Sequence, residues 1–201
     1  MTADNKKSKL ESFDFNVETL GECNVESPLL GQNRTFVGVD EKITVSNDAD
    51  EILTLLKDGK GLPVMEAAGP REKLYHPNFM TRAAIVTCGG LCPGLNSVIK
   101  GIVETLIQEY SVNEVYGVPY GYEGLVASKG HKPHILDAEC VDMIHMDGGS
   151  ILGSSRGAQD VGEMVQSLVN MRVNLFFAIG GDGTFTGALI YQKNLIYQKK
   201  H

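Results

Sequence analysis

Apolar and polar positions alternate most regularly from residue 82 onward, where short apolar runs are followed by amphipathic stretches. Ala84, Ile85 and Val86 form a continuous apolar run, which is typical of a strand buried on both faces. The chain then turns at glycines, and apolar positions spaced three and four residues apart between residues 99 and 106 predict one buried face of a helix. Asn96 is the expected N-cap of that helix.

The alternation of strand and helix continues along the chain. A second strand is predicted at residues 114–119, and a helix with Asp137 as its N-cap is predicted to run through Met146. Another amphipathic helix is predicted at 161–168, before a strongly apolar strand at 173–179. This order predicts an α/β fold with a doubly wound, Rossmann-like parallel sheet, incomplete at the C-terminus, whose ligands bind at the carboxyl ends of its strands.

Residues 1–81 have a different pattern and are predicted to form an irregular N-terminal extension. Their apolar residues are scattered among proline, glycine and asparagine, as expected of an extended arm. A short strand at 42–46 and a brief helix capped by Asp48 are the local elements expected there. We place the boundary near Arg82, so that residues 82–201 form the α/β domain.

Three glycine-rich loops accompany the predicted elements of this domain. The first contains Gly89 and Gly90, the second spans Gly148–Gly157, and the third spans Gly180–Gly183. Glycine lets the backbone turn sharply and approach a ligand closely, and N–H groups at a helix start attract phosphate. A tight turn is the simpler explanation of one Gly-Gly pair, but three such loops favour a phosphate site.

Two charged residues in these loops are candidates for chemistry. Asp182 directly follows a predicted buried strand and offers the hard oxygen ligands that Mg²⁺ accepts, although a helix cap or an Asx-turn is the alternative. Arg156 follows a run of small residues and can bind phosphate as a fork of donors, the alternative being a solvated surface arginine. Together the loops, the arginine and the carboxylate favour phosphoryl transfer.

Composition and charge narrow the class of protein. The 201 residues are 42% hydrophobic and 21% charged, as in soluble globular proteins, and no apolar run approaches the ~18 residues of a membrane span. The polar N-terminus has no signal-peptide core, so a cytoplasmic location is expected. The net charge of −7, without a long basic cluster, argues against nucleic acid or membrane partners. The four cysteines have no paired C-x-x-C spacing, so zinc is not expected.

The motifs, taken in order, resemble the amino-terminal half of the 6-phosphofructokinase family. The resemblance covers residues 66–190 and fits the long, ATP-dependent type with an N-terminal extension, in which Glu66-Ala-Ala-Gly-Pro-Arg71 also has a counterpart. The motifs are Thr87-Cys-Gly-Gly-Leu-Cys-Pro-Gly-Leu-Asn96, Tyr120-Gly-Tyr-Glu-Gly124, Gly148-Gly-Ser-Ile-Leu-Gly-Ser-Ser-Arg-Gly157 and Gly180-Gly-Asp-Gly-Thr184.

The resemblance implies a set of ligands and site residues. The family transfers the γ-phosphoryl group of ATP to the 1-hydroxyl of fructose 6-phosphate in glycolysis, with Mg²⁺ as cofactor, and its full-length members are allosteric tetramers, so a homo-oligomer is expected. By position, Asp182 would bind the metal, and Tyr122 would lie near the nucleotide. The implied ATP-binding residues are Gly90, Arg156, Gly157, Gly181, Asp182, Gly183 and Thr184.

Gly183 bears on the identity of the phosphoryl donor. In the family, pyrophosphate users tend to carry a second aspartate at this position, which would crowd and repel the α-phosphate of a nucleotide. The glycine therefore predicts ATP as the donor. The alternatives are a pyrophosphate-dependent phosphofructokinase and a non-catalytic nucleotide-binding fragment or defective subunit.

The end of the sequence differs from the family pattern. The family motif that holds the catalytic base is absent from these 201 residues, so no catalytic residue is assigned and the chain alone is expected to be inactive. A five-residue stretch, Leu189–Lys193, repeats as Leu195–Lys199, which predicts a truncated product or a fragment.

Overall fold

The computed structural model describes residues 19–189, which belong to two compact units that meet in sequence between Tyr75 and His76. The sequence predicted this boundary near Arg82. From residue 190 onward the C-terminal repeat lies outside the described residues.

Between residues 19 and 75, the first unit contains two separate two-stranded antiparallel sheets and one helix. Its elements are β1 (Val25–Glu26), β2 (Lys42–Thr44), α1 (Ala49–Lys57), β3 (Val64–Glu66) and β4 (Lys73–Leu74). β1 pairs with β4, and β2 pairs with β3. The predicted cap of α1 is confirmed, because the Asp48 carboxylate accepts hydrogen bonds from the N–H groups of Asp50 (3.0 Å) and Glu51 (3.2 Å).

The second unit contains the predicted alternation of strands and helices. Its described elements are β5 (Arg82–Thr87), α2 (Leu95–Glu104), β6 (Glu114–Gly117), β7 (His134–Ile135), α3 (Ala138–Val141), α4 (Val161–Asn170), β8 (Leu175–Ile179) and a helix, α5, at residues 182–189. A π-helical turn at Thr105–Glu109 extends α2. The 3-10 turns are Asn78–Met80, Gly121–Leu125, Ala127–Lys129 and Ile144–Met146. In the part of the chain that the structure describes, no helix is long and apolar enough to cross a membrane.

The second unit is built on a four-stranded sheet with the order β7-β6-β5-β8. β5 pairs in parallel with both β6 and β8, so the predicted parallel, doubly wound sheet is confirmed for these three strands. β7 is a two-residue edge strand that runs antiparallel to β6 and was not predicted. The sheet is therefore a partial Rossmann-like sheet with one mixed edge.

Both faces of β5 are covered, as its continuous apolar run predicts. Successive side chains of a strand point to opposite faces. Ala83 and Ile85 belong to a hydrophobic cluster with α2, whereas Ala84 and Val86 belong to a second cluster with α4. All four side chains are fully buried. β5 is thus the central strand, with one helical layer on each face.

Two local predictions are wrong in detail. Gly94, in a left-handed conformation (φ +91°), is the N-cap of α2, and Asn96 lies inside the first turn. The buried Asn96 side chain instead donates to the carbonyl of Asp147 (3.1 Å) and accepts from the N–H of Ile151 (2.8 Å). Asp137 does cap a helix, but α3 ends at Val141, before the predicted end at Met146.

Candidate functional site

The three glycine loops meet where β5 and β8 end side by side. Thr87 and Ile179 are partners in the sheet, and the N–H of Cys88 donates to the carbonyl of Ile179 (2.8 Å). The chain leaves β5 for β6 on one side, while β8 lies on the other, so the strand order reverses here. Ligands of open α/β sheets bind at such a switch point. A cavity of about 510 Å³ opens at this position.

The cavity brings together the residues predicted as the ATP site. Its wall includes all seven of them, and Tyr122 as well. The seven are Gly90, Arg156, Gly157, Gly181, Asp182, Gly183 and Thr184. Residues separated by more than ninety positions in sequence, such as Gly90 and Thr184, therefore border one space. Their part in binding remains a prediction.

The start of α5 supplies the backbone donors of this cavity. The carbonyl of Gly181 accepts the N–H groups of Thr184 (2.9 Å) and Phe185 (3.1 Å). The N–H groups of Asp182 and Gly183 are the ones that a first helical turn leaves without a partner inside the helix. They border the cavity at the positive end of the helix dipole, where an anion is stabilised. The start of α2, the other helix that follows a glycine loop, is not among the described residues of the wall.

The glycines of the third loop serve two different purposes. A Cβ atom at Gly180 would lie 2.1 Å from Thr184 Oγ1 and 2.9 Å from the carbonyl oxygen of Cys88, so only glycine fits there. A Cβ atom at Gly181 or Gly183 would meet nothing within 4 Å. Gly180 thus allows close packing of the loop, whereas Gly181 and Gly183 keep the cavity open beside the N–H groups.

One cation and one carboxylate lie in the wall. Arg156 and Asp182 are exposed, and neither side chain forms a hydrogen bond or ion pair with another residue in the described range 19–189. The guanidinium lies beside the first loop, because Arg156 Nη2 is 3.8 Å from the position of a Cβ atom at Gly90. Both charges are therefore available to a ligand.

The donor set fits a magnesium ion that arrives with phosphate oxygens. Between residues 19 and 189 no group of three or more His, Cys, Asp or Glu side chains could hold a metal by itself. Mg²⁺ usually retains several waters and binds one or two carboxylates together with substrate phosphates. Asp182 is the acidic residue of the wall, so this arrangement suits Mg²⁺ bound jointly with a phosphorylated ligand.

Tyr122 fixes the position of α5. Its hydroxyl donates to the carbonyl of Thr184 (2.7 Å), and a Cβ atom at Gly187 would lie 2.8 Å from its ring. Burial raises the pKa of Tyr122 to about 12. Burial also raises the pKa of the Cys88 thiol, although hydrogen bonds with the Tyr122 backbone and with the Thr184 side chain partly offset this effect. Both groups are consequently neutral near pH 7 and leave the charge of the cavity to Arg156 and Asp182.

Sequence reasoning missed part of the wall. Thr186 and Gly187 border the cavity together with Val161 and Met164 at the start of α4. Thr186 and Gly187 follow Asp182 and Gly183 by four residues, so α5 places them on the same face of the helix. Val161 and Met164 were assigned only to a buried helical face, yet they also form the apolar side of the cavity.

The fold is that of an α/β domain with a cavity at the switch point of its parallel sheet. A family profile for phosphofructokinase matches residues 82–197, which is more than half of the chain. The chain therefore belongs to the phosphofructokinase family.

Individual relatives agree with this assignment. The chain is 42% identical over 193 residues to the ATP-dependent 6-phosphofructokinase of Borreliella burgdorferi, a match that covers 93% of this chain and 42% of that protein. It is 39% identical over 189 residues to the ATP-dependent 6-phosphofructokinase of Entamoeba histolytica, which covers 91% of this chain and 40% of the relative. The chain thus spans about two fifths of the length of these relatives.

Solved structures support the fold. A crystal structure of Pichia pastoris phosphofructokinase in the T-state matches with a TM-score of 0.51 and 26% identity, over 66% of this chain and 15% of that one. A pyrophosphate-dependent phosphofructokinase from Marinobacter aquaeolei has the same TM-score at 16% identity, covering 59% of this chain and 31% of its own. The second similarity concerns the fold alone.

Proposed function

We propose that this chain forms the Mg-ATP-binding part of an ATP-dependent 6-phosphofructokinase, which transfers the γ-phosphoryl group of ATP to the 1-hydroxyl of fructose 6-phosphate. One observation carries the proposal: the start of α5, the Gly90 loop and the side chains of Arg156 and Asp182 border a single cavity at the switch point of the sheet. The names of the most similar relatives support ATP as the donor. A cytoplasmic homo-oligomer, as in the family, belongs to the same proposal.

Each part of the wall has a role in this proposal. The N–H groups of Asp182 and Gly183 bind phosphate oxygens, and Arg156 neutralises phosphate charge as a permanently charged donor. Asp182 holds the magnesium ion, which when bound neutralises the charge that develops on the transferred phosphoryl group. Val161 and Met164 supply an apolar surface for the nucleoside. The chain thus contributes positioning and electrostatic complementarity, the two requirements of phosphoryl transfer.

Calorimetric titration of the purified chain with Mg-ATP tests the site through Asp182. We expect Asp182→Asn to weaken binding about tenfold or more, since contacts to charged groups are worth roughly 1.5–3 kcal/mol. Asp147→Asn is the matched control, because Asp147 is exposed and lies outside the cavity wall. Equal affinity of the wild type and Asp182→Asn would contradict the role given to this carboxylate.

Gly183 tests the identity of the donor. Space is open at this position, so Gly183→Ala is expected to retain most Mg-ATP affinity, whereas Gly183→Asp adds bulk and negative charge beside the phosphates and is expected to abolish it. The same titrations with Mg-pyrophosphate complete the comparison. A wild-type preference for pyrophosphate over ATP would overturn the choice of donor.

A further inference from the structure

The loop that leads to Arg156 is held by a chain of side-chain hydrogen bonds that starts at the last residue of β5. Thr87 is 1% exposed, and its hydroxyl donates to the carbonyl of Gly153 (2.6 Å). The same oxygen lies 2.8 Å from Ser150 Oγ. Because a hydroxyl has one proton, Ser150 must be the donor of that second bond. Ser150 Oγ in turn accepts from the N–H of Leu152 (3.2 Å).

The residues immediately before Arg156 are held just as closely. Ser154 Oγ donates to the carbonyl of Gly89 (2.6 Å), and Ser155 Oγ donates to the carbonyl of Tyr120 (2.6 Å). The N–H of Gly89 donates to the carbonyl of Ser155 (3.3 Å). Every residue from Ser150 to Ser155 thus takes part in a hydrogen bond, and Arg156 is the next residue in sequence.

The Arg156 side chain depends on this backbone for its position. It has no hydrogen bond or ion pair with another residue of the described part of the chain, so no side-chain partner aims it at the cavity. An arginine side chain has about 2 kcal/mol of rotamer entropy, and a displaced or mobile backbone would spread its guanidinium over many positions. A small misplacement at a binding site has a large effect on interactions that need defined geometry.

We propose that Thr87 is a positioning residue for the anion site: its buried hydroxyl sets the loop at residues 150–155 and thereby places the guanidinium of Arg156 beside Gly90. Thr87 does not belong to the described wall of the cavity, so it acts through Arg156 and not by contact with the ligand. The inference rests on the proposed function for its ligand, a nucleoside triphosphate with Mg²⁺. The loss of the hydroxyl leaves the partly buried carbonyl of Gly153 without this donor.

The test compares two buried threonines, Thr87 at the end of β5 and Thr81 immediately before its start. Thr87→Val removes the hydroxyl and keeps the shape of the side chain. Thr81→Val is the matched control, because Thr81 is 4% exposed and donates to the carbonyl of Pro77 (2.9 Å), far from the glycine loops in the sheet. We expect Thr87→Val to weaken Mg-ATP binding about three- to tenfold, as for the loss of one hydrogen bond, while Thr81→Val binds like the wild type. Thr87→Ser, which retains the hydroxyl, should restore affinity.

A double-mutant cycle separates positioning from a general structural effect. In an Arg156→Gln background, Thr87→Val should cause no further loss of Mg-ATP affinity, since residues that act through one another are not additive. Additive losses would overturn the proposal. The proposal would also be overturned if the single variant Thr87→Val bound Mg-ATP like the wild type while the single variant Arg156→Gln bound it weakly. That result would leave the proposed function intact.

Amide hydrogen exchange tests the same idea without a ligand. The N–H of Leu152 reports on the network because its acceptor is Ser150 Oγ. Its exchange should accelerate in Thr87→Val but not in Thr81→Val, and equal exchange in both would refute the inference. If the wild type does not bind Mg-ATP, the proposed function is wrong. Amide exchange still tests whether Thr87 holds the loop at residues 150–155, because it needs no ligand. Ser150→Ala is the second variant if Thr87→Val does not fold. Because it removes both the donor to Thr87 and the acceptor of the Leu152 N–H, its effect is measured at the Gly89 amide, which donates to the carbonyl of Ser155 (3.3 Å), and exchange there must also accelerate.

Discussion

The two units of the chain are stabilised by different interactions. Among residues 19–75 only Ser27 and Leu29 are buried, and α1 has no buried residue. In the second unit, five of the six residues of β5 are buried between two hydrophobic clusters. The first unit therefore depends on polar contacts and turn geometry, whereas the second depends on apolar packing of a central strand. The difference explains why hydrophobic periodicity predicted the second unit better than the first.

Arg71 is the main polar contact of the first unit. Its guanidinium donates to the carbonyl groups of Val37 (3.1 Å), Gly38 and Ala67 (2.7 Å), and so joins segments more than thirty residues apart. A Cβ atom at Gly69 would lie 2.3 Å from Val37 Cγ2, so glycine allows the same close approach. These contacts give the Glu66–Arg71 motif a structural role.

The two units should differ most in the loss of stability caused by truncating an apolar side chain. Ile85→Ala removes a fully buried side chain from β5 and should lower the free energy of unfolding by about 2–5 kcal/mol. Ile43→Ala in β2, where the isoleucine is 49% exposed, should change it by less than about 0.5 kcal/mol. Denaturant unfolding followed by circular dichroism measures both. Equal losses would show that the units do not differ in this way.

Removal of the Arg71 contacts should destabilise the first unit and leave the second unit unaffected. Arg71→Ala takes away three contacts to backbone carbonyl groups, and we expect it to destabilise the first unit by about 1–3 kcal/mol. Exchange of the Val37 amide, which donates to Pro70 (2.9 Å), should accelerate while amides of β5 stay protected. Lys42→Ala is the control, because its 3.8 Å ion pair with Glu66 is exposed and contributes little. Unchanged exchange at Val37 would argue against the role of Arg71.

A smaller effect is expected at alkaline pH and concerns the second unit. Tyr122 has a pKa of about 12 in the folded chain, above the usual value near 10. Between these values the folded state keeps a proton that the unfolded state has lost, so stability is present below pH 10 and falls as the pH rises toward 12. Tyr122→Phe should reduce this fall, and ultraviolet titration of the phenolate should lose its component near pH 12. Tyr120→Phe serves as the control, because Tyr120 is 48% exposed. An unchanged titration of Tyr122→Phe would contradict the assignment.

The sequence predicted the loops that border the cavity better than it predicted which helix begins there. Local spacing suffices to place a glycine loop at the end of a strand, so the loops around Gly90 and Asp182 were found before the fold was known. It does not reveal which helix faces the ligand, because that depends on strand order. The sheet order β6-β5-β8 puts α5 at the cavity and leaves the start of α2 outside its wall.

Long-range hydrogen bonds were also out of reach of the sequence. Asparagine often caps helices, but the hydrogen-bond partners of Asn96, at Asp147 and Ile151, lie about fifty residues away in sequence. In the sequence, Thr87 is recognisable only as the end of an apolar strand. The hydrogen bond from its hydroxyl to the carbonyl of Gly153 is visible only in the folded chain. Periodicity carries no information on such pairs, since each bond depends on how two distant loops meet.

The glycines of the third loop imply that natural variation would affect them in different ways. A substitution at Gly180 meets the backbone of Cys88 and the side chain of Thr184, so it should reduce the yield of folded protein. A substitution at Gly183 meets open space within a helix, so it should pass a selection for solubility and fail one for ligand binding. Deep mutational scanning under those two selections would distinguish the two glycines, because Gly180 is required for folding and Gly183 for ligand binding.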